Sequence, residues 1–151
     1  MKALIVYESK YGNTEKIAFA ISSGMKEVGM TDVVVKKAED VASEDFKSAD
    51  IWVVGGPTHM FSATGGPKSA IKTGIKSGLE GKKATFFDTR YDMKVGSGAA
   101  EKLKSIAEKE GLKLAIEPEV FIVTGNKGPL AEGEEAKAAQ FGRKIAGALR
   151  S

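Results

Sequence analysis

The sequence predicts an α/β fold, a doubly wound parallel sheet of five strands with helices on both faces. Five short apolar, β-rich runs alternate with segments whose apolar residues recur at helical spacing. The first run, Ala3–Tyr7, is apolar throughout, which is typical of a strand covered on both faces. Because the 151 residues contain no repeat and no linker-like stretch, we expect one domain spanning residues 1–151.

The first half of the chain supplies three of the predicted strands. In order, its elements are a strand at Ala3–Tyr7, a helix ended by Gly29, a strand at Val33–Val35, a weakly helical acidic stretch at Glu39–Phe46 and a strand at Ile51–Val54. The first helix is predicted because apolar side chains recur at positions 17, 18, 21, 25 and 28. Segment 55–66 has four glycines and one proline in 12 residues, which predicts a loop.

The second half continues the alternation. Pro67 suits the first turn of the next helix, which carries Ile71 and Ile75. The remaining elements are a strand at Ala84–Phe87, a loop at Asp88–Gly98, a helix at Ala99–Glu110, a strand at Val120–Val123 and a last helix at Glu134–Leu149. Ligands of such sheets bind outside the carboxyl ends of the strands. The three loops rich in glycine and hydroxyl residues, after the first, third and fourth strands, should therefore converge on one site.

The first of these loops predicts a phosphate site. Hydroxyl and amide side chains surround a glycine just before a helix, whose first turn presents unpaired N–H groups to an anion. The loop is not GxxxxGK[ST], so a nucleoside triphosphate with magnesium is not indicated. The alternative is that Asn13 or Thr14 is a plain helix cap. The site residues predicted here, with one cation among them, are Ser9, Lys10, Tyr11, Gly12, Asn13 and Thr14.

Composition excludes several classes of function. The chain has no cysteine, which excludes disulfides, thiolate metal sites and thiol catalysis, and its single histidine argues against a zinc or haem site. The net charge is +3, but basic and acidic residues are interleaved, so we expect no nucleic-acid partner. The apolar run at the N-terminus has only five residues, too few for a secretory signal or a membrane span. We therefore expect a cytoplasmic protein.

The first loop and its flanking elements also resemble the signature of a known family, the flavodoxins. Its S-x-x-G-x-T resembles that family's phosphate loop for flavin mononucleotide (FMN), and the later loops fall where the family places its two isoalloxazine-binding loops. The resemblance covers the whole chain and implies a flavodoxin-like sheet of order 2-1-3-4-5 with FMN at the switch point. The residues that match the signature in register are Ile5, Val6, Tyr7, Ser9, Gly12, Thr14, Ala18 and Ile21.

The resemblance implies roles for the second loop, at Pro57, Thr58, His59, Met60 and Phe61. The Thr58 hydroxyl and the adjoining backbone would hold the flavin edge. His59 stands where many members have a tryptophan on the inner ring face, with Met60 and Phe61 close behind. Phe61 could instead pack down as an anchor of the loop. Met60 replaces the glycine of many short-chain members, so a left-handed backbone there costs roughly 1 kcal/mol or more.

The third loop matches the family pattern D-x-x-Y-[DE]. The resemblance implies that Tyr91 stacks on the outer face of the flavin, and that the backbone of Asp88, Thr89, Arg90, Tyr91 and Asp92 binds the pyrimidine edge. The alternative for Arg90 and Asp92 is plain surface charge. Many flavodoxins are strongly acidic whereas this chain has a pI near 9.0, so we expect a less negative reduction potential unless Glu8, Asp88 and Asp92 dominate the local field.

The function implied is that of a monomeric electron carrier that shuttles electrons between redox partner proteins through FMN. Lys68, Lys72 and Lys76 recur every four residues and would line one helix face, where they could dock acidic partners or simply be solvated. The alternative on the same scaffold is an NAD(P)H-dependent quinone or nitro reductase. The sequence offers no pair of nucleophile and base, which favours the carrier. A phosphoacceptor signalling domain is disfavoured, because glycines follow the third strand.

Overall fold

The computed structural model describes residues 1–59, 62–92 and 97–150. Its strands are β1 (Ala3–Tyr7), β2 (Val33–Lys37), β3 (Ile51–His59), β4 (Ser62–Ala63), β5 (Lys83–Arg90), β6 (Lys113–Leu114) and β7 (Glu119–Ile122). Its helices are α1 (Asn13–Glu27), α2 (Ser43–Ser48), α3 (Gly65–Ser77), α4 (Ala99–Lys109) and α5 (Glu134–Arg150). None of the described helices is long and apolar enough to cross a membrane.

The parallel sheet has the order β2-β1-β3-β5, and both β6 and β7 pair with β5 on its outer side. The predicted order 2-1-3-4-5 is therefore confirmed, with the fifth strand in two pieces. Ala84 pairs with Leu114 and Phe87 with Glu119, so five steps on the outer strand face three on β5. Pro118 lies in the interruption, where its missing N–H leaves no ladder bond to break.

Two predicted loops begin later than the glycine content suggested. The strand β3 continues through Gly55 and Gly56 to His59 and pairs antiparallel with β4. A Cβ on Gly55 would lie 2.5 Å from the Phe87 ring, and one on Gly56 would lie 2.7 Å from Cγ of Pro67. These glycines thus make room for neighbouring side chains within a strand, and the prediction that they start a loop was wrong. Likewise β5 runs on to Arg90, so three residues assigned to the third loop belong to the sheet.

The two faces of the sheet carry separate apolar cores, because successive side chains of each strand point to opposite sides. Along β1, Ala3, Ile5 and Tyr7 pack under α1 and α5, while Leu4 and Val6 pack on the side of α3 and α4. The same alternation follows β3 and β5. All five β1 residues are buried, as predicted for a strand with both faces covered. Helices of both layers therefore begin at one edge of the sheet, where the strands end.

The second helix begins later than the acidic stretch suggested. It spans Ser43–Ser48, whereas the prediction placed weak helix at Glu39–Phe46. Asp45 accepts a hydrogen bond from the Ala42 backbone N–H at 2.8 Å and another from Lys36 at 2.9 Å. The first of these bonds caps the helix start and the second ties α2 to the end of β2, so the local chain begins its helix at position 43.

Candidate functional site

A cleft of about 1000 Å³ lies at the carboxyl ends of β1, β3 and β5, where the three loops converge as predicted. Gly12, Asp88 and Asp92 do not line the cleft. Met60 and Phe61 lie outside the described residues, as does Gly96 of the third-loop pattern. The predicted site residues that do line the cleft are Ser9, Lys10, Tyr11, Asn13, Thr14, Pro57, Thr58, His59, Thr89, Arg90 and Tyr91.

The loop after β1 turns tightly into α1 at Gly12. Gly12 has a φ of 91°, in the left-handed region, and a Cβ there would meet no atom within 4 Å. The Ser9 hydroxyl accepts a hydrogen bond from the Gly12 N–H at 3.1 Å and so closes the turn. The helix begins at Asn13, and no side chain caps its first turn. Backbone N–H groups at the start of α1 are therefore left for a ligand, and the resulting partial positive charge suits an anion.

Asn13 and Thr14 do not cap the helix, so that alternative was wrong. The Thr14 hydroxyl forms a buried hydrogen bond of 2.8 Å with the Thr89 hydroxyl at the end of β5. The Asn13 side-chain amide donates to the backbone carbonyl of Lys127 at 3.2 Å. Both side chains are used to join the first loop to other segments around the cleft, which fixes the loop's position.

A fourth segment, missed in the sequence analysis, completes the cleft. Gly125 and Asn126 line it, and Gly128 donates a backbone hydrogen bond to the Gly125 carbonyl at 3.0 Å, which closes a tight turn after β7. The signal was available, because GNKG combines turn residues and follows the fifth strand at the same edge of the sheet. It was overlooked because this segment has no hydroxyl-rich pattern like that of the first loop.

The phosphate-loop end of the cleft has two cations beside it. The Tyr11 side chain is 44% exposed, and the Nζ atoms of Lys10 and Lys127 lie 5.4 and 5.9 Å from its ring centroid. Lys10 is the one cation of the loop itself, and Lys127 adds a second from the turn after β7. Both amines are within the range of cation–π attraction. The exposed ring thus holds two positive charges near the start of α1.

Two acids at this end are engaged with neighbouring hydroxyls. Tyr7 donates its phenol hydrogen to Glu15 at 2.7 Å, and burial together with this contact raises the pKa of Tyr7 to about 12. Thr64, just before α3, donates to the Glu8 carboxylate. Glu8 is therefore directed toward the start of α3, and both Glu8 and Thr64 line the cleft.

Around the end of β5 the site is built from buried charge. Arg90 donates from Nε and Nη2 to the two carboxylate oxygens of Asp88, at 2.8 and 2.5 Å, and from Nη2 to Glu101 at 2.7 Å. The side chains of Arg90 and Asp88 are both buried. The alternative that Arg90 is plain surface charge was therefore wrong. The bond to Asp88 is the main reason that the pKa of Arg90 is raised. Burial raises the pKa of Glu101, but its bonds from Arg90 and the backbone outweigh this effect and lower it.

The same carboxylates hold the first turn of α4. The N–H groups of residues 98, 99 and 100 donate to Glu101 at 3.0 Å, to the Thr58 hydroxyl at 2.9 Å and to Asp88 at 2.7 Å. Thr58 thus uses one lone pair of its oxygen to position α4, and its hydrogen remains available to a ligand. Tyr91 follows directly on Arg90, lines the cleft and is 47% exposed. His59 and Asp92 are also exposed, and for Asp92 the surface-charge alternative stands.

A family model and one relative match nearly the whole chain, and a second relative matches part of it. A family model described as Flavodoxin matches residues 5–140. A flavodoxin from Clostridium saccharobutylicum is 26% identical over 157 residues, 99% of this chain and 98% of the relative. A flavodoxin from Aquifex aeolicus is 36% identical over 59 residues, which is 39% of this chain and 32% of the relative.

Solved structures show the same fold. A flavodoxin from the domain Archaea superposes with a TM-score of 0.81 at 23% identity and covers all of both chains. Flavodoxin 2 from Bacillus cereus gives 0.80 at 22% identity, with 97% of this chain and 99% of that chain covered. Because the family model spans nearly the whole sequence, this chain belongs to the flavodoxin family, whose members bind FMN and transfer electrons to partner proteins.

Proposed function

We propose that this protein is an electron carrier that binds FMN in the cleft, with the phosphate over residues 9–14 and the flavin ring at the β5 end. The observation that carries the proposal is the uncapped first turn of α1, whose first residues, Asn13 and Thr14, line the cleft. When bound, FMN supplies the redox chemistry, taking up electrons from a donor protein and passing them to an acceptor. The chain's own residues bind and orient FMN and set the charge around it.

The phosphate end offers donors that other contacts leave unused. The Ser9 hydroxyl accepts from Gly12, so its own hydrogen is available to a phosphate oxygen. Thr14 and Thr89 share one hydrogen bond, which leaves one hydroxyl hydrogen of the pair to donate. The N–H groups of the first turn of α1 add charge-assisted hydrogen bonds. Lys10 and Lys127 would attract the phosphate from outside without needing to touch it.

The ring end offers flat and polar contacts. We infer that Tyr91, half-exposed at the cleft wall, stacks on one face of the flavin, which is worth roughly 0.5–1.5 kcal/mol beyond area burial. The exposed His59 would contact the opposite face. The Thr58 hydroxyl would donate its hydrogen to an edge atom while its oxygen accepts from the Ala99 N–H. The roles predicted for Met60, Phe61 and the backbone around Asp92 stay predictions.

The test compares FMN with riboflavin, which lacks the phosphate. Isothermal titration of the apoprotein should show tight binding of FMN and much weaker binding of riboflavin. Ser9→Ala should weaken FMN about tenfold, the loss of about one charge-assisted hydrogen bond, and leave riboflavin unchanged. Ser105→Ala, on α4 and away from the cleft, is the matched control. Equal affinities for the two flavins would refute the proposed phosphate site.

We further propose that the lysines of α3 dock an acidic redox protein, such as an acidic ferredoxin. Lys72 and Lys76 are exposed and Lys68 is half-buried, and none of the three forms an ion pair with another described residue. Ser69 and Thr73 of the same helix line the cleft, so a protein seated on this lysine row would lie close to the flavin. Its association should fall steeply between low and physiological salt.

Charge reversal tests this docking role. Replacing Lys68, Lys72 and Lys76 by Glu should slow electron transfer to an acidic ferredoxin at least about tenfold at low salt, with little effect at high salt. Reversing three exposed lysines on other helices, Lys26, Lys109 and Lys144, changes the net charge equally and should slow transfer much less. Equal effects of the two triple variants would leave only a net-charge effect and would rule out docking at α3.

The monomeric state and the cytoplasmic location expected from the sequence stay predictions. Sedimentation equilibrium at micromolar concentration tests the first, and we expect the mass of a single chain of 16.0 kDa. Cell fractionation tests the second. Neither result would alter the assignment of the cleft.

A further inference from the structure

Arg90 is a buried cation whose orientation in the cleft wall is fixed from two sides. Its side chain is only 8% exposed and makes a two-pronged contact with Asp88 on the same strand. Glu101 on α4 accepts a third bond, from Nη2. Since the guanidinium is planar and presents its five N–H donors in a rigid fork, these three bonds fix where its remaining edge points.

The Nη1 edge of Arg90 remains for a ligand. Asp88 and Glu101 take three of the five donors, and the two on Nη1 have no acceptor among residues 1–59, 62–92 and 97–150. Arg90 lines the cleft, whereas neither Asp88 nor Glu101 does. Of the three charged side chains, only the cation contributes to the lining of the cleft.

We propose that Arg90 is a cofactor-contacting residue that donates a cationic hydrogen bond to the pyrimidine edge of the flavin and makes its reduction potential less negative. The proposal rests on the FMN site proposed above, in which the segment around Tyr91 meets that edge. Reduction adds negative charge to the ring, and a cation held near it stabilises that charge more the closer it lies. Asp88 and Glu101 reduce the effect without cancelling it, because neither carboxylate lines the cleft.

A purely structural role for Arg90 predicts something different. If the residue only tied β5 to the start of α4, removing it would loosen the third loop and weaken the oxidised and reduced flavin alike. A cationic contact instead favours the reduced flavin, so its loss shifts the ratio of the two affinities. The reduction potential of bound FMN measures that ratio directly.

The experiment measures the potential by spectroelectrochemical titration of FMN-loaded protein. The double variant Arg90→Gln with Asp88→Asn removes both buried charges together, so neither is left unpaired. Compared with the wild type, its affinity for reduced FMN should fall at least about tenfold relative to its affinity for oxidised FMN. This appears as a more negative reduction potential. The control pair Arg143→Gln with Glu27→Gln removes an equivalent ion pair between α5 and α1, away from the cleft, and should leave the potential unchanged. Equal potentials in both double variants and the wild type would overturn the proposal.

A second variant keeps the proposal testable if the first double variant does not fold, as judged by circular dichroism. Glu101→Gln changes a carboxylate that is 47% exposed, so the fold should persist. The substitution removes one of the two carboxylates that neutralise Arg90, so the reduction potential of bound FMN should become less negative. An unchanged potential would again overturn the inference. If the wild type itself binds no FMN, the proposed function fails as well; if it binds FMN and all potentials agree, only the role of Arg90 fails.

Discussion

The two ends of the cleft are built on different physical principles. The phosphate-loop end relies on backbone N–H groups and neutral hydroxyls, mainly from one contiguous stretch, residues 9–14. Two exposed lysines, Lys10 and Lys127, lie beside it. The ring end relies on buried charge, with Arg90 held between Asp88 and Glu101. The phosphate-loop end loses little stability when no ligand is bound, because water can take the ligand's place at its N–H and hydroxyl groups. The second end depends on every partner being present, because a buried charge left unpaired is costly.

The stability of the site therefore depends mainly on the ring end. Substitutions at the ring end should destabilise the apoprotein severely, and substitutions of single neutral groups at the phosphate end only moderately.

Removing the buried carboxylate should have the largest effect. In Asp88→Ala, Arg90 stays buried with only Glu101 as partner, and the Ala100 N–H loses its acceptor. We expect a loss of about 3–5 kcal/mol in the free energy of unfolding, measured by urea denaturation of the apoprotein. Glu27→Ala breaks the more exposed pair with Arg143 and should cost at most about 1 kcal/mol. Similar losses for the two variants would contradict the comparison.

The fold was predictable because its signals are local. Apolar runs of three to five residues and helical spacing located every main strand and helix, and the strand order followed from the family resemblance. The errors arose where a residue serves a distant neighbour. Gly55 and Gly56 look like loop residues in sequence, but they are small because Phe87 and Pro67 occupy the adjoining space. A single sequence does not reveal which ring will lie against which glycine.

The two ends of the site differ in the same way in how far the sequence predicts them. Residues 9–14 form the phosphate loop on their own, so their spacing was sufficient to predict it. At the ring end, Arg90 contacts Glu101, which comes from a helix beyond the loop. Ala99 contacts Thr58, which comes from a different strand. The spacing of these residues in the sequence suggests neither contact. For Arg90 the sequence therefore left plain surface charge open as an alternative to a place in the site. One local clue existed, since Asp88 and Arg90 are two apart on a strand and must share a face.

The hydroxyl pair that joins the two ends should show an intermediate effect. Thr14→Val leaves the buried Thr89 hydroxyl without its partner, and Thr89→Val does the reverse. Each single variant should lose about 1–3 kcal/mol of apoprotein stability, while the double variant should lose less than the sum, because it leaves no orphaned group. Thr73→Val, which removes an exposed bond to a helix carbonyl, should change stability by no more than about 0.5 kcal/mol. Additive losses would show that the two hydroxyls are independent.

At the phosphate-loop turn, Gly12→Ala isolates the cost of backbone conformation. A Cβ at Gly12 meets nothing within 4 Å, so the only penalty is the left-handed φ of 91°, about 1–2 kcal/mol. Gly65 at the start of α3 also has open space around it but no positive φ, so Gly65→Ala should be neutral or slightly stabilising. Thermal unfolding of the two apoprotein variants compares them directly. A similar loss at both positions would mean that the backbone of the loop is not what Gly12 provides.

The smallest effect at neutral pH concerns Tyr7, which borders the phosphate loop and responds only to alkali. Its phenol has a pKa raised from 10.0 to about 12 by burial and by Glu15, so the unfolded chain ionises first as pH rises. Stability should therefore be fully present below pH 10 and decline between pH 10 and about 12. In Tyr7→Phe this decline should be reduced, whereas Tyr11→Phe, at an exposed ring, should keep the wild-type slope; urea denaturation at several pH values measures it. Glu101 at the ring end has a lowered pKa, so its contribution is lost in acid instead. If Tyr7→Phe retained the full alkaline decline, the pH response would not distinguish the two ends.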